Sequence, residues 1–319
     1  MVYSMKGSDE MSEIQKQNSS VYDNAMRTAV EKCPHLLVPL VNEIFKADYE
    51  LDAEVTLLHN EFFFDFARGE KIITDAHFKI TSKSGKSTVY HLESQSNTDS
   101  SMSLRMAEYD LAIGMHNRIE TDEEIIIKLP KSSVLWLRGA SPMKRIVFEL
   151  NKNRIAYTPT CIQMKTYTLD DIVKKKLYIL LPFYQFNLEE IYDKYGKSPE
   201  DNARVIELIN EMSDMLENSD LKSFDMHALF EIMLNVFSML AKNNAKLKAE
   251  GESIMGGRVM RLKIDDIVDQ NKALGKAEGI MEEKIRSAKN FIDKGLTTLS
   301  KLKDSGLYTD DELKAIANS

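Results

Sequence analysis

The sequence predicts an α/β fold in which a mixed β-sheet has helices on its faces, followed by an all-helical C-terminal region. A β-hairpin pattern between Ile72 and Gln95 comes first, then a helical pattern, then strand-like runs rich in Val, Ile and Leu over residues 124–167. Beyond residue 183, apolar residues recur at helical spacing. No apolar run reaches the roughly 18 residues of a membrane span.

The composition is that of an ordinary globular protein, with 43% hydrophobic and 29% charged residues in a chain of 319. Its two cysteines, Cys33 and Cys161, are too few and too far apart for a disulfide framework or a zinc cluster, so we expect a reducing cytoplasm. The polar residues 1–18 predict a disordered lead rather than a signal peptide. This length accommodates about two domains.

The charge distribution is uneven. The net charge of −8 argues against an indiscriminate DNA-binding protein, but residues 131–180 contain 10 Lys and Arg against 3 Asp and Glu, whereas residues 19–130 contain 11 against 19. The basic segment either contacts phosphate groups or forms a solvated face. We predict a core over 19–183, a helical domain over 184–262 and a helical tail over 263–319.

Two helices are predicted before the sheet. One begins near Ser20 and ends at Pro34, and the other covers residues 35–46. Glu43 lies among apolar residues of the second helix, where burying an unpaired carboxylate is costly. Glu43 is therefore either part of a functional site or directed to solvent. A strand over 54–58 and a loop containing Phe62 and its neighbours follow.

The hairpin carries polar residues at matching positions. Strand alternation places Asp75, His77 and Lys79 on one face of the first strand, and Glu93 and Gln95 on one face of the second. An odd number of loop residues would set Asp75 opposite either Glu93 or Gln95, at about 4.5–5.5 Å between Cβ atoms.

Such a pair of side chains has two interpretations. Asp75 and Glu93 could share a hard divalent cation, which prefers oxygen ligands, or they could simply lie on the solvated face of the hairpin. His77 and His91 likewise either support these carboxylates or are ordinary sheet residues.

A helix over 99–116 is predicted next, capped by Asp99 or Ser100. Arg105 precedes Tyr109 by four residues, so the two are neighbours on its surface. Arg105 either contacts a phosphate or packs along the Tyr109 ring.

The remaining elements are predicted from strand patterns and capping signals. Strands are expected at 124–129, 133–137, 145–150 and 160–167, and a capping box beginning at Thr168 opens a helix through Lys176. Ser198 and Pro199 start another helix, an apolar stripe covers 226–240, a charged helix covers 265–295, and Thr309 caps a last short helix.

Four short segments, in the same order along the chain, resemble a known family. ITDAHF (73–78) and YHLESQSNTDSSMSLRMAEYD (90–110), followed by YTLDDI and LPFYQF, resemble the PD-(D/E)XK nuclease superfamily. In that superfamily a hairpin presents Asp on one strand and Glu-x-Lys on the next. The resemblance is greater to the branch of recombination-promoting nucleases and transposase-like proteins, in which Gln replaces this Lys and a helix with Arg and Tyr follows. It covers residues 20–185.

The resemblance implies a restriction-endonuclease-like three-layer core and a metal-dependent DNA endonuclease. Asp75, Glu93 and the Ser94 carbonyl would bind Mg²⁺ or Mn²⁺, Gln95 would replace the usual lysine, and Glu43 would join the site. The competing hypothesis is a nuclease fold without effective turnover that acts as a DNA- or protein-binding module.

The resemblance and the basic segment also predict which partners the protein binds. Arg105, Lys174, Lys175 and Lys176 are the expected DNA contacts, and a role in recombination or mobile elements is implied. We expect no membrane association, and we expect homodimer formation through the C-terminal helices.

Overall fold

The computed structural model describes residues 24–63, 71–293, 298–304 and 307–318. These form two compact units, one ending at Met260 and one beginning at Arg261. The predicted boundary after residue 183 falls inside the first unit, and the one after residue 262 lies two residues from the observed division. The predicted disordered lead over 1–18 and the cap at Ser20 lie outside the described residues.

The described strands are short, and all of them lie between residues 54 and 163. They are β1 (Glu54–Leu57), β2 (Glu61–Phe63), β3 (Lys71–Ile73), β4 (Ala76–Thr81), β5 (Ser87–Gln95), β6 (Ile119–Glu120), β7 (Ile125–Ile126), β8 (Lys131–Trp136), β9 (Ile146–Leu150), β10 (Asn153–Tyr157) and β11 (Thr160–Gln163).

Most of the described helices lie in the second half of the chain. They are α1 (24–32), α2 (Leu37–Phe45), α3 (Met102–His116), α4 (Leu169–Lys174), α5 (Glu189–Tyr192), α6 (Pro199–Glu217), α7 (Ser223–Leu240), α8 (Ala245–Asp293), α9 (Leu299–Asp304) and α10 (Asp310–Asn318). Three 3₁₀ segments are Pro34–Leu36, Met164–Thr166 and Tyr178–Leu188. Among the helices described here, none combines the length and apolar character needed to cross a membrane.

Five of the described strands form one mixed sheet in the order β1-β4-β5-β8-β11. β1, β4 and β5 are antiparallel neighbours, whereas β5, β8 and β11 run parallel. The predicted α/β class, the mixed sheet and the helical C-terminal region are therefore confirmed.

Helices pack on both faces of this sheet. Met102 and Met106 of α3 pack against Val134 and Trp136 of β8. On the opposite face, residues of α1 and α2 meet alternate positions of the strands: Met26, Val30, Leu40 and Ile44 lie beside Ala76, Leu92, Ser133 and Leu135. Because successive strand residues point to opposite faces, β8 contributes to both helical layers.

The predicted hairpin is present as β4 and β5. The last ladder pair before the turn is Thr81 with Ser87, and Gly85 adopts a φ of 82° that suits glycine. The expected continuous first strand is interrupted, however, because β3 pairs with β2 instead of β5. The loop expected around Phe62 is thus partly a strand, and the chain bends at Asp75.

The strands predicted between 124 and 167 need correction. The run at 124–129 forms only the two-residue β7, and the run at 160–167 ends at Gln163. β9 lies outside the five-stranded sheet and pairs with β10, which the sequence pattern did not predict. Asn151, in a left-handed conformation with φ 55°, makes the tight turn between them.

The capping predictions at Thr168, Ser198 and Thr309 are confirmed, whereas α3 begins at Met102 with Ser101, not Asp99 or Ser100, at its N-cap position. Thr168 accepts a hydrogen bond from the Asp171 N–H in a reciprocal capping box, and the Ser198 side chain accepts one from the Asp201 N–H. Thr309 and Glu312 form the corresponding bonds at α10, in the second unit. In the first unit, α7 buries its predicted apolar stripe and packs against the segment Tyr178–Leu188.

Gly251 allows α8 to approach α7 closely. A Cβ at this position would lie 2.2 Å from Cζ of the buried Phe237. We expect Gly251→Ala to lower the free energy of unfolding by about 1–3 kcal/mol because of overpacking. Urea unfolding monitored by circular dichroism measures this change.

Gly256, in the same helix, provides the control. A Cβ there meets no atom within 4 Å, so Gly256→Ala should leave stability unchanged or raise it by up to about 1 kcal/mol through helix propensity. Equal effects of the two substitutions would show that the contact with Phe237 does not limit the packing.

Candidate functional site

Asp75 and Glu93 lie side by side at one end of the hairpin. Ala76 pairs with Leu92 in the ladder, and one residue further the Asp75 N–H donates a hydrogen bond of 3.0 Å to Glu93 Oε1. The Ser94 N–H and hydroxyl donate to Asp75 Oδ2 at 2.8 and 2.7 Å. Of the two alternatives for the residue opposite Asp75, Glu93 is the one observed.

Both carboxylates are buried, with 4% of Asp75 and 5% of Glu93 exposed. Burying a carboxylate is costly unless it is paired and hydrogen-bonded. Arg27 of α1 supplies a cation for Asp75, with 3.3 Å between Nε and Oδ1. Arg27 was not predicted as part of the site, because nothing in the nearby sequence indicated a partner 48 residues away.

His91 connects Glu93 to helix α3. Its Nε2 donates to Glu93 Oε1 at 2.8 Å, and its Nδ1 donates to Asp110 Oδ1 at 2.7 Å. Burial alone would lower the pKa of His91, but the hydrogen bonds and charges of Asp110 and Glu93 outweigh it and raise the pKa to about 9. At neutral pH, His91 is therefore an imidazolium held between two carboxylates.

The chain of hydrogen bonds continues to the β9–β10 ribbon. The Tyr157 hydroxyl donates to Asp110 Oδ2 at 2.6 Å, and burial together with Asp110 raises the pKa of Tyr157. Neither residue was predicted. Asp110 could have been found from the sequence, because it is an acidic residue in the apolar stripe of α3, four residues after Met106. Nothing in the sequence pointed to Tyr157, because strand β10 was not predicted.

Arg105 contacts its own helix. Its Nη2 donates to the Tyr109 hydroxyl at 3.2 Å, its Cζ lies 5.6 Å from the Tyr109 ring centroid, and its Nη1 donates to Asp99 at 2.9 Å. Burial alone would lower the pKa of Arg105, but Tyr109, Asp99 and Glu93 together raise it. These are the contacts expected if Arg105 packs along the Tyr109 ring. The guanidinium also adds positive charge near Glu93.

The other hairpin histidine lies across the ladder from His91. His77 Nδ1 donates to the His59 carbonyl at 2.6 Å, and its ring packs edge-on against Phe62 at 5.6 Å. Burial lowers the pKa of His77. The structure thus places His91, but not His77, in hydrogen-bond contact with the candidate carboxylates.

Gln95 ends β5 and is half-buried, two residues beyond Glu93 and on the same face of the strand. Its backbone carbonyl accepts a hydrogen bond of 2.9 Å from the Leu137 N–H. In the part of the chain that the structure describes, its side-chain amide makes no hydrogen bond. The amide is therefore available to a ligand or a water molecule.

Glu43 has partners of its own. Lys175 donates to Glu43 Oε1 at 2.9 Å, the Tyr167 hydroxyl donates to the same atom at 3.4 Å, and Lys46 Nζ lies 3.7 Å from Oε2. Burial alone would raise the pKa of Glu43, but Lys175 and the other partners lower it. No contact joins Glu43 to Asp75 or Glu93 among the described residues.

The three consecutive lysines are each paired with a carboxylate. Lys174 contacts Asp170 at 3.0 Å, Lys175 contacts Glu43, and Lys176 contacts Asp220. Their positive charge is thus largely balanced within the protein.

The oxygen donors at Asp75 and Glu93 fit a hard divalent cation with few protein ligands. All hydrogen bonds that described residues donate to Glu93 fall on Oε1, which leaves Oε2 for another ligand. Mg²⁺ commonly binds through one or two carboxylates and retains several water molecules. No cluster of three or more His, Cys, Asp and Glu side chains suited to a metal ion occurs among the described residues.

Comparison with protein-family models, curated proteins and solved structures gives no match for this chain.

The imidazolium of His91 should make stability depend on pH. Because its pKa is about 9 in the folded protein and 6.5 ordinarily, its stabilising contribution is complete below pH 6.5 and is lost as the pH rises through 9. We expect the wild type to lose about 3 kcal/mol of unfolding free energy from this group between pH 6.5 and 9.5.

Urea unfolding of the wild type and His91→Gln at both pH values measures this contribution. His91→Gln should lack this loss of unfolding free energy between the two pH values, since the Gln amide does not titrate. The same pH slope in both proteins would mean that His91 is neutral in the fold.

Proposed function

We propose that this chain is a metal-dependent DNA endonuclease with a restriction-endonuclease-like core of the PD-(D/E)XK type. The observation that carries the proposal is the pairing of Asp75 with Glu93 across β4 and β5, with Gln95 two residues further on. Two buried carboxylates at the end of a hairpin, beside the guanidinium groups of Arg27 and Arg105, suit an anionic substrate and a cation.

Asp75, Glu93 and the Ser94 carbonyl are the proposed ligands of Mg²⁺ or Mn²⁺. When bound, such an ion lowers the pKa of a water molecule and offsets negative charge on a phosphoryl group. The protein's part is orientation: the Ser94 N–H and hydroxyl hold Asp75, while His91 and the Asp75 N–H hold Glu93.

Gln95 is the proposed partner of the attacking water. An amide can donate to or accept from that water, but it can neither take its proton nor carry a positive charge. Arg27 and Arg105 supply positive charge in place of the usual lysine. Glu43 would have to leave Lys175 and Tyr167 to join the site, so we assign ion binding to Asp75 and Glu93.

The biological setting proposed is intracellular DNA metabolism. The resemblance of the segments at 73–78 and 90–110 supports a role in recombination or in mobile elements, with the cytoplasm as the compartment. A homodimer through the C-terminal helices completes the proposal.

A second candidate is a nuclease-fold module that binds DNA or protein with little or no turnover. It is favoured by the internal partners of the two carboxylates, since Arg27, Ser94 and His91 already hold them. The replacement of the usual lysine by Gln95 favours it as well. Plasmid nicking distinguishes the two candidates.

Removing either carboxylate should abolish cleavage. With Mg²⁺ or Mn²⁺, the wild type is expected to nick supercoiled plasmid and to stop on addition of EDTA, whereas Asp75→Ala and Glu93→Ala should be inactive because ion binding needs both groups. Agarose gel electrophoresis measures the rate, and circular dichroism confirms folding.

Asp52→Ala is the matched control, because Asp52 is an exposed carboxylate paired with Lys83 at 3.0 Å. It should cleave at the wild-type rate. Cleavage by both site variants at that rate would disprove the site assignment, and no cleavage by the wild type with any divalent ion would support the binding module.

Substitutions of Gln95 test its proposed contact with water. Gln95→Lys should retain or raise the cleavage rate, because Asp75 and Glu93 favour a protonated amine nearby. Gln95→Ala should lower kcat by about 10²–10³-fold, the usual loss on removing a positioned donor. An active Gln95→Ala together with an inactive Glu43→Ala would show that Glu43 on α2, and not Gln95, orients the attacking water.

A further inference from the structure

The β9–β10 ribbon stands apart from the main sheet. Its strands pair from Tyr157 with Ile146 to Asn153 with Leu150, and residues 149–156 are exposed. Because the ribbon pairs only with itself among the described strands, its outer part is open to a partner.

One face of the ribbon is apolar. Strand alternation and the register place five apolar side chains on it beside one polar residue, Asn153: Ile146, Phe148, Leu150, Ile155 and Tyr157. Near the turn, Leu150 is 58% exposed and Ile155 is 55% exposed. Exposed apolar residues concentrated on one small face indicate a contact surface.

Basic residues lie at both ends of β9, with Lys144 and Arg145 directly before it and Lys152 in the turn after it. Lys144, Arg145 and Lys152 are exposed, and none forms an ion pair within the described residues, while Arg154 is paired with Glu149 at 2.9 Å. The lysines at 174–176 are all paired. Of these two groups in the basic segment, the one on the ribbon therefore has the charge available for a partner.

The ribbon is connected to the candidate site. Tyr157, at the end of its apolar face, donates to Asp110, and Asp110 accepts from His91, which holds Glu93. These hydrogen bonds link the base of the ribbon to Glu93 through the protein interior.

We propose that the β9–β10 ribbon binds duplex DNA by entering its major groove, with Lys144, Arg145 and Lys152 on phosphates and Leu150 and Ile155 against base edges. A two-stranded ribbon fits that groove, and thymine methyl groups accept apolar contacts. The unpaired cations favour a polyanion over a second copy, whose ribbon would carry the same charge. The choice of DNA rests on the proposed function.

The test is binding of a fluorescently labelled duplex, measured by anisotropy in EDTA between 50 and 200 mM salt, so that cleavage does not interfere. We expect Lys144→Gln/Arg145→Gln/Lys152→Gln to reduce the slope of log Kd against log salt by up to about 0.9 per lost phosphate contact. The affinity near 0.1 M salt should fall by roughly eightfold per contact.

Two further variants serve as comparisons. Lys174→Gln/Lys175→Gln/Lys176→Gln removes the same charge from paired lysines and should change the slope little. Leu150→Thr/Ile155→Thr should weaken binding without changing the slope, because it removes apolar contacts only. Unchanged binding by both ribbon variants, or an equal loss in both charge variants, would overturn the proposal.

The outcomes also separate this proposal from the proposed function. If the wild type cleaves DNA and the ribbon variants bind normally, the ribbon assignment alone fails. Binding that depends on the ribbon in a protein without cleavage would leave the ribbon assignment standing and exclude the endonuclease. Failure of the wild type to bind a duplex, or a dimer in sedimentation that the Leu150→Thr/Ile155→Thr variant abolishes, would overturn DNA as the partner of the ribbon.

Discussion

The buried ion pairs of His91 hold the candidate site together. Its imidazolium lies between Glu93 on β5 and Asp110 on α3, and each of these three side chains is almost fully removed from water. Isolated charges at such positions would be very costly, so each group depends on the others. The arrangement also joins strand, helix and ribbon, because Tyr157 uses the second oxygen of Asp110.

Each charged group around the site has a partner of opposite charge in the protein. Asp75 is held by Arg27 and Ser94, Glu93 by His91, and Arg105 lies between Asp99 and Tyr109. These partners hold the two carboxylates in place, and they leave Glu93 Oε2 without a hydrogen bond from a described residue. This property suits both proposed functions, and the rate of metal-dependent cleavage separates them.

Local signals accounted for much of the fold. The hairpin alternation over 76–95, the turn with Gly85, and the caps at Thr168, Ser198 and Thr309 depend on residues close in the chain, and the structure confirms them. The bend at Asp75 and the separate β9–β10 ribbon did not follow, since strand patterns do not specify which edge a strand joins. The turn limited the residue opposite Asp75 to Glu93 or Gln95, and the observed register decided for Glu93.

The sequence by itself determined the α/β class, the hairpin with its two carboxylates, and the position of Gln95 on their face, because strand periodicity and turn chemistry act over a few residues. Only the tertiary structure decided which partners these groups have. Glu43 binds Lys175, 132 residues away, and Asp110 binds Tyr157, 47 residues away. Both pairs depend on which elements the packing brings together, and for the buried Asp110 the cost of an unpaired charge also requires a partner.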